Sequence, residues 1–120
     1  MKLFKRKRKM DLAKYTERWN AIQKLCSARK TWPQAVIQAD GLLDEALKCK
    51  GYKGKTTGER LVAAQHEISS NETVWAGHKL CKTLSVEDVD VRKLKKKDVV
   101  QALSGFRQAL RDLGALSSGK

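Results

Sequence analysis

The most regular feature of the sequence is an apolar stripe near its C-terminus, where hydrophobic residues recur at alternating spacings of three and four. The stripe consists of Val99, Leu103, Phe106, Leu110 and Leu113. Because an α-helix has about 3.6 residues per turn, this spacing places all of these side chains on one face. Gly114 follows directly, as is typical of a helix end. The segment predicts an amphipathic helix whose inner face must be covered by other apolar surfaces.

Four earlier segments show the same helical periodicity. Asp11 is a favourable N-cap for the first, and Pro33 is tolerated in the first turn of the second. Thr56 and Glu59 have the spacing of a capping box before the third. The predicted helices cover, in order, residues 12–26, 33–50, 57–68 and 71–84. Residues 85–97 lose this periodicity and are predicted to form a loop.

These helices predict an all-α fold, an antiparallel bundle of four to five helices, because the connections are short and no strands are available to pair. A chain of 120 residues with 41% hydrophobic side chains is expected to form one domain. We expect a basic N-terminal arm over residues 1–10, the helical bundle over residues 11–116, and a flexible tail over residues 117–120.

The cysteine content indicates a reducing compartment. Cys26, Cys49 and Cys81 are odd in number and lack C-x-x-C spacing, so neither a disulfide framework nor a zinc knuckle is predicted. We expect a cytoplasmic protein with no metal and no cofactor. No apolar stretch is long enough to span a membrane, and no secretory signal is recognisable. A weak contact between the N-terminal arm and a membrane surface stays open as an alternative.

Charge gives the strongest indication of function. The chain has 26 Lys and Arg against 13 Asp and Glu, a formal net charge of +13. This excess favours RNA or another polyanion as partner, because phosphates attract Lys and Arg and release counterions on binding. A solvated basic face without a ligand is the alternative. The candidate nucleic-acid-binding residues form three clusters: Lys5, Arg6, Lys7, Arg8 and Lys9; Lys48, Lys50, Lys53 and Lys55; and Arg92, Lys93, Lys95, Lys96 and Lys97.

Tryptophans and carboxylates have structural as well as functional interpretations. Trp19 and Trp75 fall within apolar stripes and are expected in the core rather than stacked on nucleobases. Trp32, at a helix start, is the one of the three that most favours exposure, although packing as a hydrophobic staple is the more common arrangement there. Asp40 and Asp44 lie one turn apart on the second helix. They are expected to pair with Lys or Arg of a neighbouring helix, in a buried or peripheral salt bridge.

Several stretches resemble small bacterial proteins of the HEPN superfamily. The similarity covers roughly residues 19–116 and is most specific over residues 51–61, GYKGKTTGERL; LLDEAL at residues 42–47 and GHKL at residues 77–80 also match. The resemblance implies a four-helix-bundle core and frequent homodimerisation. In active members it also implies metal-independent RNA cleavage by an Arg-x4-6-His motif.

This chain departs from the family at that motif. By the resemblance, Arg-Asn would follow residues 78–80 and a His would lie five residues after the Arg. The sequence has Cys81, Lys82 and Val86 at those places. A thiol and an isopropyl group cannot stabilise phosphate charge or transfer a proton in their stead. The degenerate motif therefore implies that the nuclease activity is lost.

Charge and resemblance together predict a non-catalytic HEPN-like domain that binds RNA or another polyanion through its basic loops and arm. A homodimer or a protein partner is compatible with this function. One alternative is a protein-interaction or regulatory bundle without a nucleic-acid ligand. Another is a residual ribonuclease with relocated catalytic groups.

Overall fold

A computed structural model describes residues 10–86 and 90–117, and the regular structure within these residues is entirely helical. The α-helices are α1 (Leu12–Leu25), α2 (Trp32–Cys49), α3 (Thr57–Ala63), α4 (Asn71–Val86) and α5 (Lys96–Asp112), with short 3-10 turns at Arg29–Thr31 and Val91–Lys93. The predicted all-α class is confirmed. Most of the predicted arm and tail lies outside the described residues. No helix in the described part of the chain is long and apolar enough to cross a membrane.

Close contacts between α4 and α5 show that the two helices run in opposite directions. A Cβ atom built on Gly105 would lie 2.8 Å from Thr73, at the start of α4. One turn further along α4, Gly77 faces Phe106 and Ala102, so the contacts advance along α4 as they recede along α5. Glycine permits this close approach because any side chain at either position would collide with the opposite helix.

The remaining helix directions follow from contacts along α2. Arg18 of α1 pairs with Glu45 near the end of α2, whereas Trp32 at the start of α2 contacts Cys26 just after α1. The α1–α2 pair is therefore antiparallel. Arg29, before α2, contacts Leu94, before α5, so α2 and α5 begin at the same end. The order α1, α2, α4, α5 thus alternates up and down, with α3 in the connection between α2 and α4.

The core is centred on α2, which contacts each of the other helices. Its fully buried side chains are Ala35, Val36, Ala39, Leu42, Leu43, Ala46 and Leu47. The C-terminal stripe packs against them as predicted, except that Leu103 is only partly buried. Burying this apolar surface is the main force that holds the helices together.

Helix boundaries differ from the sequence prediction in two places. α3 ends at Ala63 rather than continuing to residue 68, and the Asn71 amide donates to the carbonyl groups of Gln65 and Ile68 in the turn that follows. A side chain thus satisfies carbonyl groups that a longer helix would pair internally. The predicted loop over residues 85–97 is also shorter, because α4 extends to Val86 and α5 begins at Lys96.

Trp19 lies in the core as predicted, whereas the order of exposure predicted for Trp32 and Trp75 is wrong. Trp32 is buried, since its indole Nε1 donates to the Cys26 carbonyl at 3.0 Å and the Arg29 guanidinium covers its ring. Trp75 is instead only partly buried. The hydrogen bond and the Arg29 guanidinium hold the Trp32 side chain in the core, although the residue lies at the start of a helix. The spacing of apolar residues does not show these contacts.

Candidate nucleic-acid interface

Two of the predicted basic clusters lie at opposite ends of the bundle because of the directions in which the helices run. Lys48, Lys50, Lys53 and Lys55 follow the C-terminal part of α2, at what we call the loop end. The cluster over residues 92–97 lies where α2 and α5 begin. The 18 residues of α2 separate these ends by about 27 Å, at a rise of about 1.5 Å per residue. The two clusters therefore do not form one continuous patch.

Arg29 joins two connections of the bundle. Its Nη1 donates to the Leu94 carbonyl at 2.7 Å and to the Val91 carbonyl at 3.2 Å. Its guanidinium lies 4.5 Å from the centre of the Trp32 ring, in a cation–π arrangement. These contacts bring the α1–α2 turn beside the α4–α5 connection. We call the resulting basic surface the turn end; it comprises Arg29, Lys30, Arg92, Lys93, Lys95, Lys96 and Lys97.

The turn end presents its lysines to solvent. Lys30, Lys93 and residues 95–97 are all exposed. Arg92 forms an ion pair with Asp90 at 3.2 Å, but its side chain is 85% exposed, so this pair contributes little to stability. The positive potential of this surface therefore comes from its side chains, because the N-termini of α2 and α5 lie beside the C-termini of α1 and α4 and the helix dipoles oppose each other.

Carboxylates near the turn end are few in the described residues. Asp90 and Asp98 are present there, while Glu87 and Asp88 of the same connection lie outside the described residues. By sequence, the seven basic residues of the turn end, including Arg29 and Lys30, exceed the four carboxylates at positions 87, 88, 90 and 98. The local balance therefore favours an anionic ligand.

The loop end is closer to neutral than its lysine content indicates. Lys50 Nζ lies 3.0 Å from Glu67 Oε2, and Lys48 Nζ lies 3.5 Å from Asp44 Oδ2. Tyr52 also donates to Glu67, and burial together with this bond raises the pKa of Tyr52 to about 12. Among the described residues, Lys53 and Lys55 carry no ion pair. Two members of this predicted cluster thus lie beside carboxylates that offset their charge, although the Lys48 side chain stays 59% exposed.

A buried ion pair fixes the loop over residues 51–56. Arg60 Nε donates to Asp44 Oδ1 at 2.7 Å and Arg60 Nη2 to Asp44 Oδ2 at 3.0 Å, while Nη1 donates to the Gly54 carbonyl. Burial alone would raise the pKa of Asp44, but the bonds from Arg60 and Thr57 lower it below its ordinary value. The expected pairing of Asp44 with a basic residue is therefore confirmed, and this part of the loop is structural.

The predicted capping box before α3 is only half formed. The Glu59 amide donates to Thr56 Oγ1 at 3.1 Å, as predicted. The Glu59 carboxylate, however, accepts from the Lys55 amide rather than from Thr56. Gly54 lies so close that a Cβ atom there would be 2.7 Å from Glu59, so the chain needs glycine at this position. The tight approach shifts the return bond by one residue.

The three positions that the resemblance assigns to the ribonuclease motif lie on α4 and differ in exposure. Cys81 is buried and faces Asp40 and Ser85. Burial and the neighbouring Asp40 carboxylate raise the pKa of the Cys81 thiol to about 11. Lys82 is exposed, and Val86 is 80% exposed. A protonated thiol and an exposed valine offer neither the cation nor the proton carrier that cleavage by the family motif requires.

His78 lies one turn before Cys81 and pairs with a carboxylate across the core. Its Nδ1 lies 2.8 Å from Asp40 Oδ1, and its ring packs edge-on against Trp75. The expectation that Asp40 pairs with Lys or Arg is therefore wrong, since a histidine takes that place. His66 is elsewhere, on the surface beside Tyr52. The described residues contain no group of three or more His, Cys, Asp or Glu arranged to hold a metal ion.

Sequence reasoning missed Arg29 and Lys30, which the structure adds to the third basic cluster. In an up-down bundle, alternate connections lie at the same end, so the topology itself places the α1–α2 turn near residues 90–95. The first basic cluster, Lys5, Arg6, Lys7, Arg8 and Lys9, lies outside the described residues.

No known protein family, curated protein or solved structure matches this chain.

Proposed function

We propose that this protein is a non-catalytic, HEPN-like domain of the cytoplasm that binds RNA through the turn end. The observation that carries the proposal is the joining of two basic connections by Arg29, through bonds to the Val91 and Leu94 carbonyls. Exposed ammonium groups from both connections then face solvent together. Such groups track phosphates without reading base sequence.

Binding is favoured over catalysis by the surroundings of α4. The positions that the HEPN resemblance assigns to Arg and His hold Cys81 and Val86, and the Cys81 thiol stays protonated at neutral pH. His78 is buried against Asp40, which occupies its Nδ1. Neither histidine of the chain is placed beside the exposed lysines of the turn end, since His66 lies beside Tyr52.

The binding proposal is tested with two variants of equal charge change. Lys30→Gln with Lys93→Gln removes two cations from the turn end, and Lys53→Gln with Lys55→Gln removes two from the loop end. All four side chains are exposed, so both variants should stay folded. Fluorescence anisotropy with a single-stranded RNA oligonucleotide should show about tenfold weaker binding for the first variant and a much smaller loss for the second. Equal losses would contradict the proposal.

The HEPN ancestry has a separate test. The combined replacement Cys81→Arg, Lys82→Asn and Val86→His restores the family motif in the alignment that the resemblance implies. Asp40 lies beside position 81 and would give the new guanidinium a carboxylate partner. A folded variant should cleave labelled RNA while the unaltered protein leaves it intact. If helical content is preserved and no cleavage occurs, the ancestry is wrong.

A further inference from the structure

An apolar groove runs along the surface between α1 and α5. Trp19, Ile22 and Cys26 line its α1 side and Val100 and Leu103 its α5 side, around a volume of about 330 Å³. Val99 already fills the core position of this turn of α5, with 2% exposure, whereas the adjacent Val100 is 54% exposed. Val100 and the other groove residues form one contiguous apolar surface, and such surfaces mark sites that another molecule covers.

The indole N–H of Trp19 gives an independent indication that this groove binds another molecule. The residue is 5% exposed, and its indole Nε1 is buried without a hydrogen-bond partner in the described residues. Buried indole N–H groups ordinarily find an acceptor. A carbonyl or carboxylate oxygen on a bound molecule would supply one after a small shift of the ring.

The charges beside the groove restrict what can occupy it. A second depression adjoins the first at Val100 and Ser104, and its lining includes Lys96 and Lys97. Arg107 lines the first depression. Neither lining contains a carboxylate. The surface is therefore apolar in the middle and positively charged along α5.

We propose that the α1–α5 groove binds an acidic amphipathic helix of another protein. Apolar side chains at spacings of three and four would enter the groove, and flanking Glu or Asp would meet the Lys97 and Arg107 cations. A second copy of this chain is a poor occupant, because it also carries +13 and would bring like charges together. RNA does not supply the aliphatic side chains that an apolar groove accommodates.

This inference is separable from RNA binding, although Lys96 and Lys97 border both surfaces. Val100 and Leu103 belong to the groove alone, and Lys30 and Lys93 to the turn end alone. A groove variant should therefore lose the acidic helix and keep RNA, and a turn-end variant should do the reverse.

The test uses a synthetic peptide of about five helical turns, with Leu at helical spacing on one face and Glu on both flanks. One control peptide has Lys in place of Glu, and another has the same composition in scrambled order. We expect calorimetry to show about tenfold tighter binding of the acidic peptide than of either control. Peptide addition should shift the nuclear magnetic resonance signals of Ile22, Val100 and Leu103.

Val100→Glu and Val62→Glu form a matched pair of variants, because Val100 is 54% and Val62 53% exposed. The first should weaken peptide binding about tenfold, while the second, on α3, should leave it unchanged. Binding of the acidic peptide no tighter than of the scrambled one, or shifts confined to the turn end, would overturn the proposal. So would a dimer of the unaltered protein that Val100→Glu dissociates, because the occupant would then be a second copy.

Discussion

At the scale of single residues, Cys81 shows how burial determines the chemistry of a side chain. The thiol is 7% exposed, and burial beside Asp40 raises its pKa to about 11. The thiol form therefore dominates at neutral pH, whereas the thiolate is the form that reacts. The residue is thus a small buried side chain rather than a nucleophile.

Iodoacetamide labelling of the folded protein tests this assignment. Cys81 should react at least about tenfold more slowly than Cys26, whose pKa is also raised by burial but which is only partly buried. Mass spectrometry of the digested protein over a time course gives both labelling rates. Unfolding in urea should make the rates of Cys81 and Cys26 nearly equal. Equal rates in the folded state would show that Cys81 is accessible and ionised.

Asp44 provides the residue-scale prediction of pH dependence. Because the Arg60 bonds lower its pKa in the folded state below the ordinary 3.8, the charged pair stabilises the fold above about pH 4. That contribution is lost as pH falls through the lower, folded value. Asp44→Asn should reduce the free energy of unfolding by about 2 kcal/mol at pH 7.

Urea titrations at pH 7 and pH 3 measure this difference. The gap between Asp44→Asn and the unaltered protein should be smaller at pH 3, because below the ordinary pKa of 3.8 the Asp44 carboxyl of the unfolded chain is largely protonated and part of the charge-dependent stabilisation is lost. Glu17→Gln, on the exposed surface of α1, is the control and should change stability by less than about 0.5 kcal/mol. A gap of the same size at both pH values would rule out the ion pair as its source.

At the scale of helices, close packing of α4 on α5 depends on glycine. A Cβ atom at Gly105 would lie 2.8 Å from the Thr73 backbone, whereas one at Gly41 on α2 would meet nothing within 4 Å. Gly105→Ala should therefore destabilise the fold by about 1–3 kcal/mol. Gly41→Ala should stabilise it by about 0.5–1 kcal/mol, because alanine has the higher helix propensity. Urea midpoints that fall in the opposite order would contradict this packing.

The sequence predicts a helix well where an apolar stripe is regular and no side chain from outside the helix changes its ends. The C-terminal stripe and the Asp11 N-cap are both present in the structure. The end of α3 is not predictable in this way, because it depends on the Asn71 side chain, which begins the next helix. Burial of Trp32 similarly requires the Cys26 carbonyl and Arg29. Contacts made by side chains outside a helix decide these features.

At the scale of the whole molecule, topology decides which charges act together. Counting residues identifies the basic clusters but cannot show that Lys48 and Lys50 are paired with carboxylates. Nor does it show that Arg29 and Lys30 join residues 92–97 at one end. The total charge thus predicts a class of ligand, whereas the up-down order of the helices determines where that ligand is expected to bind.

The salt dependence of RNA binding tests the central claim most directly. With a single-stranded oligonucleotide, log K should fall with log salt concentration by about 0.7 for each phosphate that the protein neutralises. Lys30→Gln with Lys93→Gln removes two cations and should reduce the magnitude of this slope by about 1.4, Lys53→Gln with Lys55→Gln should leave it nearly unchanged, and the RNA should be recovered intact. Binding that does not weaken with salt, or a slope reduced only by the loop-end variant, would contradict the account.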